Sequence, residues 1–122
     1  MRHPKGTIVR AIKPLANARA LEPLNPLTPL PQEAGVIGMV VDLIGHSFSR
    51  VQNEVEGWVA NVRVEELERV GFIKVKGPKA TFQIDGQPEW STYIERVGAA
   101  NVRAAAFLLY LVRCAADAEP AP

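Results

Sequence analysis

The sequence contains little of the chemistry on which small metalloproteins depend, with one cysteine and two histidines in 122 residues. The single cysteine, Cys114, excludes an internal disulfide and is typical of a protein in a reducing cytoplasm. His3 and His46 lack the spacing of a paired metal site, so no metal site is predicted. His46, near Asp42 and Ser47, is the best single candidate for a titrating or binding side chain, and a solvated turn histidine is the competing interpretation.

Catalytic motifs are also lacking. The chain has no phosphate-cradling glycine loop, no Cys-x-x-Cys pair, no His-Glu-x-x-His and no Gly-x-Ser-x-Gly. Cys114 lies in an apolar stretch with no histidine or cation predictably adjacent, which favours a small core residue over a nucleophile. We therefore expect a protein that is not an enzyme and binds no cofactor.

Hydrophobic runs of membrane-spanning length are absent. The apolar run of residues 104–112 has nine residues, which is too short to cross a bilayer, and Arg103 and Arg113 bracket it. Arg2 and Lys5 are followed by no apolar stretch long enough for a signal peptide. We expect a cytoplasmic protein that does not contact a membrane.

The net charge is only +1, which argues against an obligatory polyanion binder. Its distribution is uneven, because residues 1–34 carry five Lys and Arg against two acids and residues 35–68 carry two against six. Residues 69–122 carry seven against five. Basic flanks around an acidic middle favour docking of a flank on the middle, or of one chain on another.

Strand signals are concentrated in residues 35–68. Residues 35–44 are rich in aliphatic and β-branched side chains on both faces, residues 50–55 alternate less strongly, and residues 58–62 follow a tight-turn signal at Glu56-Gly57. Residues 64–68 are predicted to form a single helical turn. Three short strands joined by short loops indicate an antiparallel meander.

Three motifs mark this segment: Gly-x-x-Gly-x-Val-x-Asp from residue 35, Gly-Trp-Val-Ala-Asn-Val from residue 57 and Glu-Glu-Leu-Glu from residue 65. Their order resembles the core of SH3-like barrels in small bacterial accessory proteins, of the nitrogen-fixation NifZ type and the variable chain of ferredoxin-thioredoxin reductase. In such barrels a Gly-x-x-Val-Arg strand comes first, as residues 6–10 would here, and a long loop follows it. The resemblance covers about half of the chain and implies an architecture, with no functional residue to carry over.

The predicted fold is mainly β with α, in one domain of residues 1–122. Residues 6–70 are expected to form a five-stranded SH3-like barrel with a proline-rich loop at 14–34, residues 71–86 a hairpin, and residues 88–117 a pair of helices. Ile12 is a further core candidate on the first strand. Much of the barrel core is expected to come from seven side chains: Ile8, Val36, Val40, Val51, Trp58, Val59 and Leu67.

The proline-rich loop contains Pro-Leu-Asn-Pro-Leu-Thr-Pro-Leu-Pro at residues 23–31. The three-residue period is that of a polyproline II helix and places Leu24, Leu27 and Leu30 on one edge. We expect these leucines to pack on the protein's own surface. The alternative is a Pro-x-x-Pro ligand for an aromatic groove of another protein.

Residues 72–76 and 80–84 flank Gly77-Pro78 and are predicted to form the hairpin, with Lys74, Lys76 and Lys79 near its tip. Lysines there protect a strand edge against further pairing. The alternative is a nucleic-acid site in which the lysines bind phosphates, but no aromatic stacking pair accompanies them in the sequence.

A short helix is predicted over residues 88–97, where Trp90, Tyr93, Ile94 and Val97 recur at helical spacing, and a second from Asn101 to about residue 116. In the second helix Arg103, Ala106, Tyr110, Arg113 and Asp117 form the predicted polar stripe. The rest divides into two apolar rows, one of Val102, Ala105, Leu109 and Val112, the other of Ala104, Phe107, Leu108, Leu111 and Ala115.

Three function classes follow. The first is a non-enzymatic interaction or assembly module, a homodimer or part of a larger complex, because one helix row can face the barrel while the other needs a cover. The cover is either a second chain or, in a monomer, Trp90, Tyr93 and Ile94 of the preceding helix. The second is a nucleic-acid-binding protein that uses Lys74, Lys76 and Lys79, and the third an enzyme subunit with its site at an oligomer interface. The interaction candidates are Leu24, Leu27, Leu30, Trp58, Trp90, Phe107, Leu108 and Leu111, with core roles as the competing interpretation for both tryptophans.

Overall fold

A computed structural model describes residues 3–21, 28–93 and 99–118 of the chain. Its strands are β1 (Thr7–Ala11), β2 (Arg19–Ala20), β3 (Ile37–Ile44), β4 (Phe48–Asn53), β5 (Trp58–Arg63), β6 (Leu67–Lys76), β7 (Lys79–Ile84) and β8 (Trp90–Tyr93). A 3₁₀ turn, Val64–Glu66, joins β5 to β6, and one α-helix, α1 (Ala99–Ala118), follows the last described strand.

Within the described residues, all eight strands belong to one open antiparallel sheet in the order β2-β5-β4-β3-β1-β6-β7-β8. The prediction of a separate five-stranded SH3-like barrel followed by a hairpin is wrong. β6 runs without interruption from Leu67 to Lys76, pairing with β1 along its first part and with β7 along its second. The hairpin strands therefore extend the same sheet.

The central meander has the predicted order of three strands, although β4 covers Phe48–Asn53 and not the predicted residues 50–55. β3, β4 and β5 pair in succession, and the turns between them contain Gly45 and Gly57 at φ values of +58° and +79°, which glycine adopts at little steric cost. The helical turn predicted at residues 64–68 is the 3₁₀ turn. Asn53, which is buried, accepts hydrogen bonds from the backbone N–H groups of Val55 and Glu56 and so shapes the β4–β5 turn.

Two hydrophobic clusters lie on opposite faces of the sheet, because successive residues of a strand project to opposite sides. Ile8 and Met39 belong to one cluster, and Val9 and Val40 belong to the other. The first, the helix core, consists of Ile8, Met39, Ile73, Ala80, Phe82, Ala106, Phe107 and Tyr110. The second, the strand core, consists of Val9, Ala11, Leu15, Ala18, Val40, Val51, Trp58, Ala60, Val62 and Leu67.

Most of the predicted core residues are buried in these clusters or pack against them. Ile8, Val40, Val51, Trp58, Val59 and Leu67 are buried, and Val36 packs against the strand core. Ile12 is the exception at 55% exposure, so its predicted core role is wrong. β1 ends at Ala11, and Ile12 instead donates its backbone N–H to Glu66 O at 2.9 Å.

The predicted pair of C-terminal helices is also wrong. Residues 90–93 form strand β8, which pairs with β7, whereas α1 corresponds to the second predicted helix. The pattern misled because Trp90 and Tyr93 fit a helix turn as well as a short strand. In the strand Trp90 stacks on Phe82, with ring centroids 4.3 Å apart, and Tyr93 projects into solvent. Ile94 and Val97 lie outside the described residues.

α1 is twenty residues long and packs on β6 and β7. Neither it nor any other helix of the described residues has the length and apolar character that a membrane crossing needs.

Candidate functional site

Tyr110 orients α1 on the sheet. The ring is buried in the helix core, and its hydroxyl donates a hydrogen bond of 3.1 Å to Val70 O. Val70 is the residue skipped in the β1–β6 register, so its carbonyl is at an irregular point of the ladder. Burial raises the pKa of Tyr110, and the nearby Cys114 contributes in the same direction.

This contact overturns the predicted polar stripe of α1. Ala106 and Tyr110 lie on its buried face, together with Phe107. A tyrosine ring is apolar over most of its surface, and one carbonyl partner satisfies its hydroxyl, so it can occupy a core position despite its polar atom.

Gly71 permits the close approach of the helix. A Cβ at this position would overlap both the Tyr110 hydroxyl and Gln83 O of the neighbouring strand. The absence of a side chain at Gly71 of β6 therefore allows α1 to pack at its observed distance from the sheet.

The outer face of α1 is apolar and open. Leu108, Leu109 and Val112 are 48%, 38% and 57% exposed. Leu111 is half-buried and packs against the helix core. We call Leu108, Leu109 and Val112 the outer face of α1.

The two predicted helix rows are thus divided differently between core and solvent. Leu109 and Val112, from one row, face outward with Leu108 from the other, while Phe107 is buried. The side chains of Val102, Ala104 and Ala115 lie outside the part of the helix whose side chains the structure describes.

A second surface lies on the opposite side of the sheet. The β6–β7 register places Lys74 beside Thr81 and Lys76 beside Lys79, and opposed residues of an antiparallel pair project to the same side. Phe82, next to Thr81 in sequence, projects to the other side and is buried beneath α1. Alternation along the strands therefore brings the three predicted lysines to one exposed surface.

β8 widens this surface by one strand. Its register places Ser91 beside Thr81 and Tyr93 beside Lys79. The hydroxyls of Thr81 and Ser91 share a hydrogen bond of 2.9 Å, and Tyr93 is 78% exposed. We call the following six side chains the lysine face: Lys74, Lys76, Lys79, Thr81, Ser91 and Tyr93.

A hollow of about 370 Å³ lies in the lysine face and is lined by its three lysines, its two hydroxyls and Glu89. Among the described residues, no ion pair involves any of these lysines, whereas Lys5, Lys13 and Arg69 each pair with a carboxylate. The positive charge of the lysine face is therefore not compensated by a described carboxylate within ion-pair distance.

Edge protection does not account for Lys79. β8 pairs with β7 along residues 79–82, so this side of β7 is not a free strand edge. The same strand supplies an exposed aromatic ring, Tyr93, beside the lysines. Tyr93 was missed because its spacing from Trp90 suggested a helix, and a two-residue alternation over Trp90–Tyr93 is too short a signal to decide.

A larger groove of about 660 Å³ lies between the start of β1, the middle of β3 and β6. Two of its cations are compensated, since Lys5 lies 3.9 Å from Asp42 and Arg69 lies 3.2 Å from Asp85. The guanidinium of Arg69 also lies over the Phe72 ring at 5.7 Å. Lys74 lines both this groove and the hollow of the lysine face, so the two depressions adjoin.

The remaining candidates are dispersed. Trp58 is buried in the strand core and donates its indole N–H to Glu56 at 3.3 Å, while Trp90 is half-buried beneath the Arg113 guanidinium. His46 is exposed in the β3–β4 turn, and Cys114 is half-buried against the helix core. Within the described parts of the chain no three His, Cys, Asp or Glu side chains are grouped to hold a metal ion.

The proline-rich segment is described only in part. Leu24 and Leu27 lie outside the described residues, so their predicted packing stays a prediction. Leu30 is exposed, and its backbone N–H donates to Ala18 O at 2.8 Å, next to a bridge between Pro29 and Arg19.

Comparison with protein-family models, curated proteins and solved structures finds no match to this chain. The resemblance to small bacterial accessory proteins accordingly stays a prediction from the sequence.

Proposed function

We propose that this protein is a small cytoplasmic, non-enzymatic interaction module that pairs with a second copy of itself through the outer face of α1. One observation supports the proposal above all others. Leu108, Leu109 and Val112 are large aliphatic side chains, they are adjacent on one helix face, and all three are substantially exposed.

Where its side chains are described, the inner face of α1 already packs on the sheet. Ala106, Phe107 and Tyr110 bury that side of the helix against β6 and β7, so the outer leucines and valine have no role in the intramolecular core. Contiguous apolar surface of this kind is rare on monomers and marks interaction sites. Burying it stabilises an assembly by about 25 cal/mol for each Å² removed from water.

A second copy is the occupant that the chemistry of this face favours. No charged residue occurs between Arg103 and Arg113, so the face offers no electrostatic complementarity to a charged partner. An aliphatic stripe is self-complementary, and a two-fold axis through it would bring each leucine against the same region of the partner helix. Two such helices can pack when the side-chain ridges of one fit into the grooves of the other.

Light scattering during size-exclusion chromatography tests the proposal. At micromolar concentration the protein should have twice the 13.3 kDa mass of the chain. Leu108→Glu and Val112→Glu should each restore the monomer mass, because a carboxylate at the centre of an apolar interface is costly to bury. Both positions are exposed in the single chain, so the fold should persist, as circular dichroism can verify.

Val55→Glu is the matched control. Val55 is also an exposed aliphatic residue, but it lies in the β4–β5 turn, remote in the sheet order from the strands that carry α1. This variant should retain the doubled mass. A monomeric wild-type protein, or a dimer that survives both α1 substitutions, would remove the proposal.

A further inference from the structure

We propose that the lysine face binds single-stranded nucleic acid, with Lys74, Lys76 and Lys79 on phosphates and Tyr93 stacked on a base. The site lies on the opposite side of the sheet from α1. It goes beyond self-association and does not depend on it.

Charge is the first part of the argument. Three lysines and one carboxylate, Glu89, line a hollow of about 370 Å³, and among the described residues none of these lysines lies within ion-pair distance of a carboxylate. The overall charge of +1 shows that this is a local concentration and not a general property of the surface. A phosphate backbone is the ligand that such a cluster attracts, through neutralised phosphates and released counterions.

The exposed ring is the second part, because it distinguishes nucleic acid from other polyanions. Tyr93 is directly opposed to Lys79 across the β7–β8 pair, and such residues have their Cβ atoms about 5 Å apart. A base stacked on the ring would therefore have its own or the next phosphate within reach of a lysine. Stacking on an aromatic side chain requires a free base face, so the expected ligand is a single strand rather than a duplex.

The surroundings of the lysine face suit an extended ligand. The hydroxyls of Thr81 and Ser91 lie between the lysines and can donate to phosphate or ribose oxygens. On the other side Lys74 leads into the adjoining groove, where the Arg69 guanidinium lies over the Phe72 ring. A sheet surface with three lysines beside one exposed ring can accommodate several successive nucleotides.

Fluorescence anisotropy with labelled mixed-sequence strands of about 12 nucleotides tests the site, since single-strand sites span roughly 4–16 nucleotides. One RNA strand, one DNA strand and the corresponding DNA duplex are each titrated at several salt concentrations. Three phosphate contacts predict a slope of about −2 for log Kobs against log salt on a single strand. Because RNA and DNA strands both offer phosphates and free bases, comparing their affinities shows which of the two the lysine face prefers.

Two variants separate the contributions. The triple variant Lys74→Gln, Lys76→Gln, Lys79→Gln should abolish binding. Tyr93→Leu should weaken it about fivefold or more, which corresponds to the loss of one stacked base, and should leave the salt slope unchanged. All four side chains are exposed, so neither variant removes a core contact.

The matched control is Arg10→Gln, Lys13→Gln, Arg63→Gln, which removes three exposed cations from β1, from the segment that follows it and from β5. It should retain the wild-type affinity and slope. Any of four results would overturn the proposal: no binding at low salt, binding that persists in the lysine variant, equal loss in the control, or a duplex bound as tightly as the single strands. Equal affinity for a polyglutamate peptide would instead assign the face to acidic proteins and would also overturn it.

Discussion

The two halves of this molecule differ in how their sheet is covered. On the side of β3, β4 and β5, the strand core buries Val40, Val51, Trp58 and Val62 together with residues of the long loop that follows β1. On the side of β6, β7 and β8, α1 covers one face and the other face is open to solvent. Both candidate surfaces lie in the second half, one on the outside of the helix and the other on the uncovered strands.

The distribution of ion pairs shows the same contrast. Lys5, Arg10 and Lys13, all from the basic first segment, pair with Asp42, Glu68 and Glu66 of the acidic middle. These three pairs join a basic flank to the acidic middle, which is one of the two interpretations of the charge pattern, and docking of one chain on another stays a prediction. The lysines of the second half have no such partners among the described residues. Exposed ion pairs of this kind contribute only about 0–1 kcal/mol each to stability.

The largest expected effect comes from truncating one buried ring in each half. Trp58→Ala and Phe107→Ala should each lower the free energy of unfolding by about 3–5 kcal/mol, the usual cost of removing a buried large aromatic side chain. The two substitutions should destabilise different parts of the sheet. Phe107→Ala should release α1 and expose β6 and β7, whereas Trp58→Ala should destabilise the strand half.

Native-state hydrogen exchange measures that difference residue by residue. In the Phe107→Ala protein the amides of β4 and β5 should keep their protection while those of β7 lose it. Uniform loss of protection in both variants would mean that the two halves unfold as one unit.

A smaller effect is expected at Gly71. Gly71→Ala should lower stability by about 1–3 kcal/mol, as overpacking does, because the new Cβ meets the Tyr110 hydroxyl and Gln83 O. Tyr110→Phe removes one of these two contacts. In a double-mutant cycle the Gly71→Ala cost should therefore be smaller when residue 110 is phenylalanine. Additive costs, measured by urea unfolding, would show that the helix does not depend on this close approach.

The pH dependence of stability provides the smallest effect. Burial raises the pKa of Tyr110 in the folded protein above the ordinary value of about 10 for tyrosine. The unfolded chain therefore releases this proton first as the pH rises. The stabilisation is complete below pH 10 and decreases above it.

Urea unfolding of the wild type and of Tyr110→Phe between neutral and alkaline pH tests this sign. The variant should lose about 1 kcal/mol at neutral pH, the typical value of one hydrogen bond, and should decline less steeply at alkaline pH. Tyr93→Phe alters an exposed ring and should follow the wild type. Parallel curves for the wild type and Tyr110→Phe would exclude a role for the Tyr110 hydroxyl in the alkaline transition.

The strand half could be predicted from the sequence because its elements are long and bounded by glycine turns. The apolar residues of β3, the Glu56-Gly57 turn and the burial of Trp58 all followed from local patterns. Local sequence patterns could not predict that the sheet continues from β6 to β7. Whether β6 ends at the edge of a barrel or passes on to β7 depends on its pairing with two different strands, which no local pattern specifies.

The candidate surfaces were predictable only in part. The three lysines were identified by their position near a hairpin tip, and the structure brings them together as the strand period requires. Tyr93 was assigned to a helix, so its place beside Lys79 was not foreseen. The predicted orientation of α1 is also wrong. The predicted polar stripe contains Ala106 and Tyr110, but both are buried, and the Tyr110 hydroxyl makes the contact that fixes the helix.

Site-directed cross-linking tests the central claim, pairing through the outer face of α1, most directly. Leu108→Cys, Leu109→Cys and Val112→Cys are made in turn in a Cys114→Ser background and oxidised at micromolar concentration. A disulfide requires Cα atoms within about 7 Å, so it forms readily only near the two-fold axis of a paired helix. We expect a covalent dimer from at least one of these positions, and only slow, random cross-linking from Val55→Cys in the same background. Cross-linking that is no faster at any α1 position than at Val55 would contradict the account.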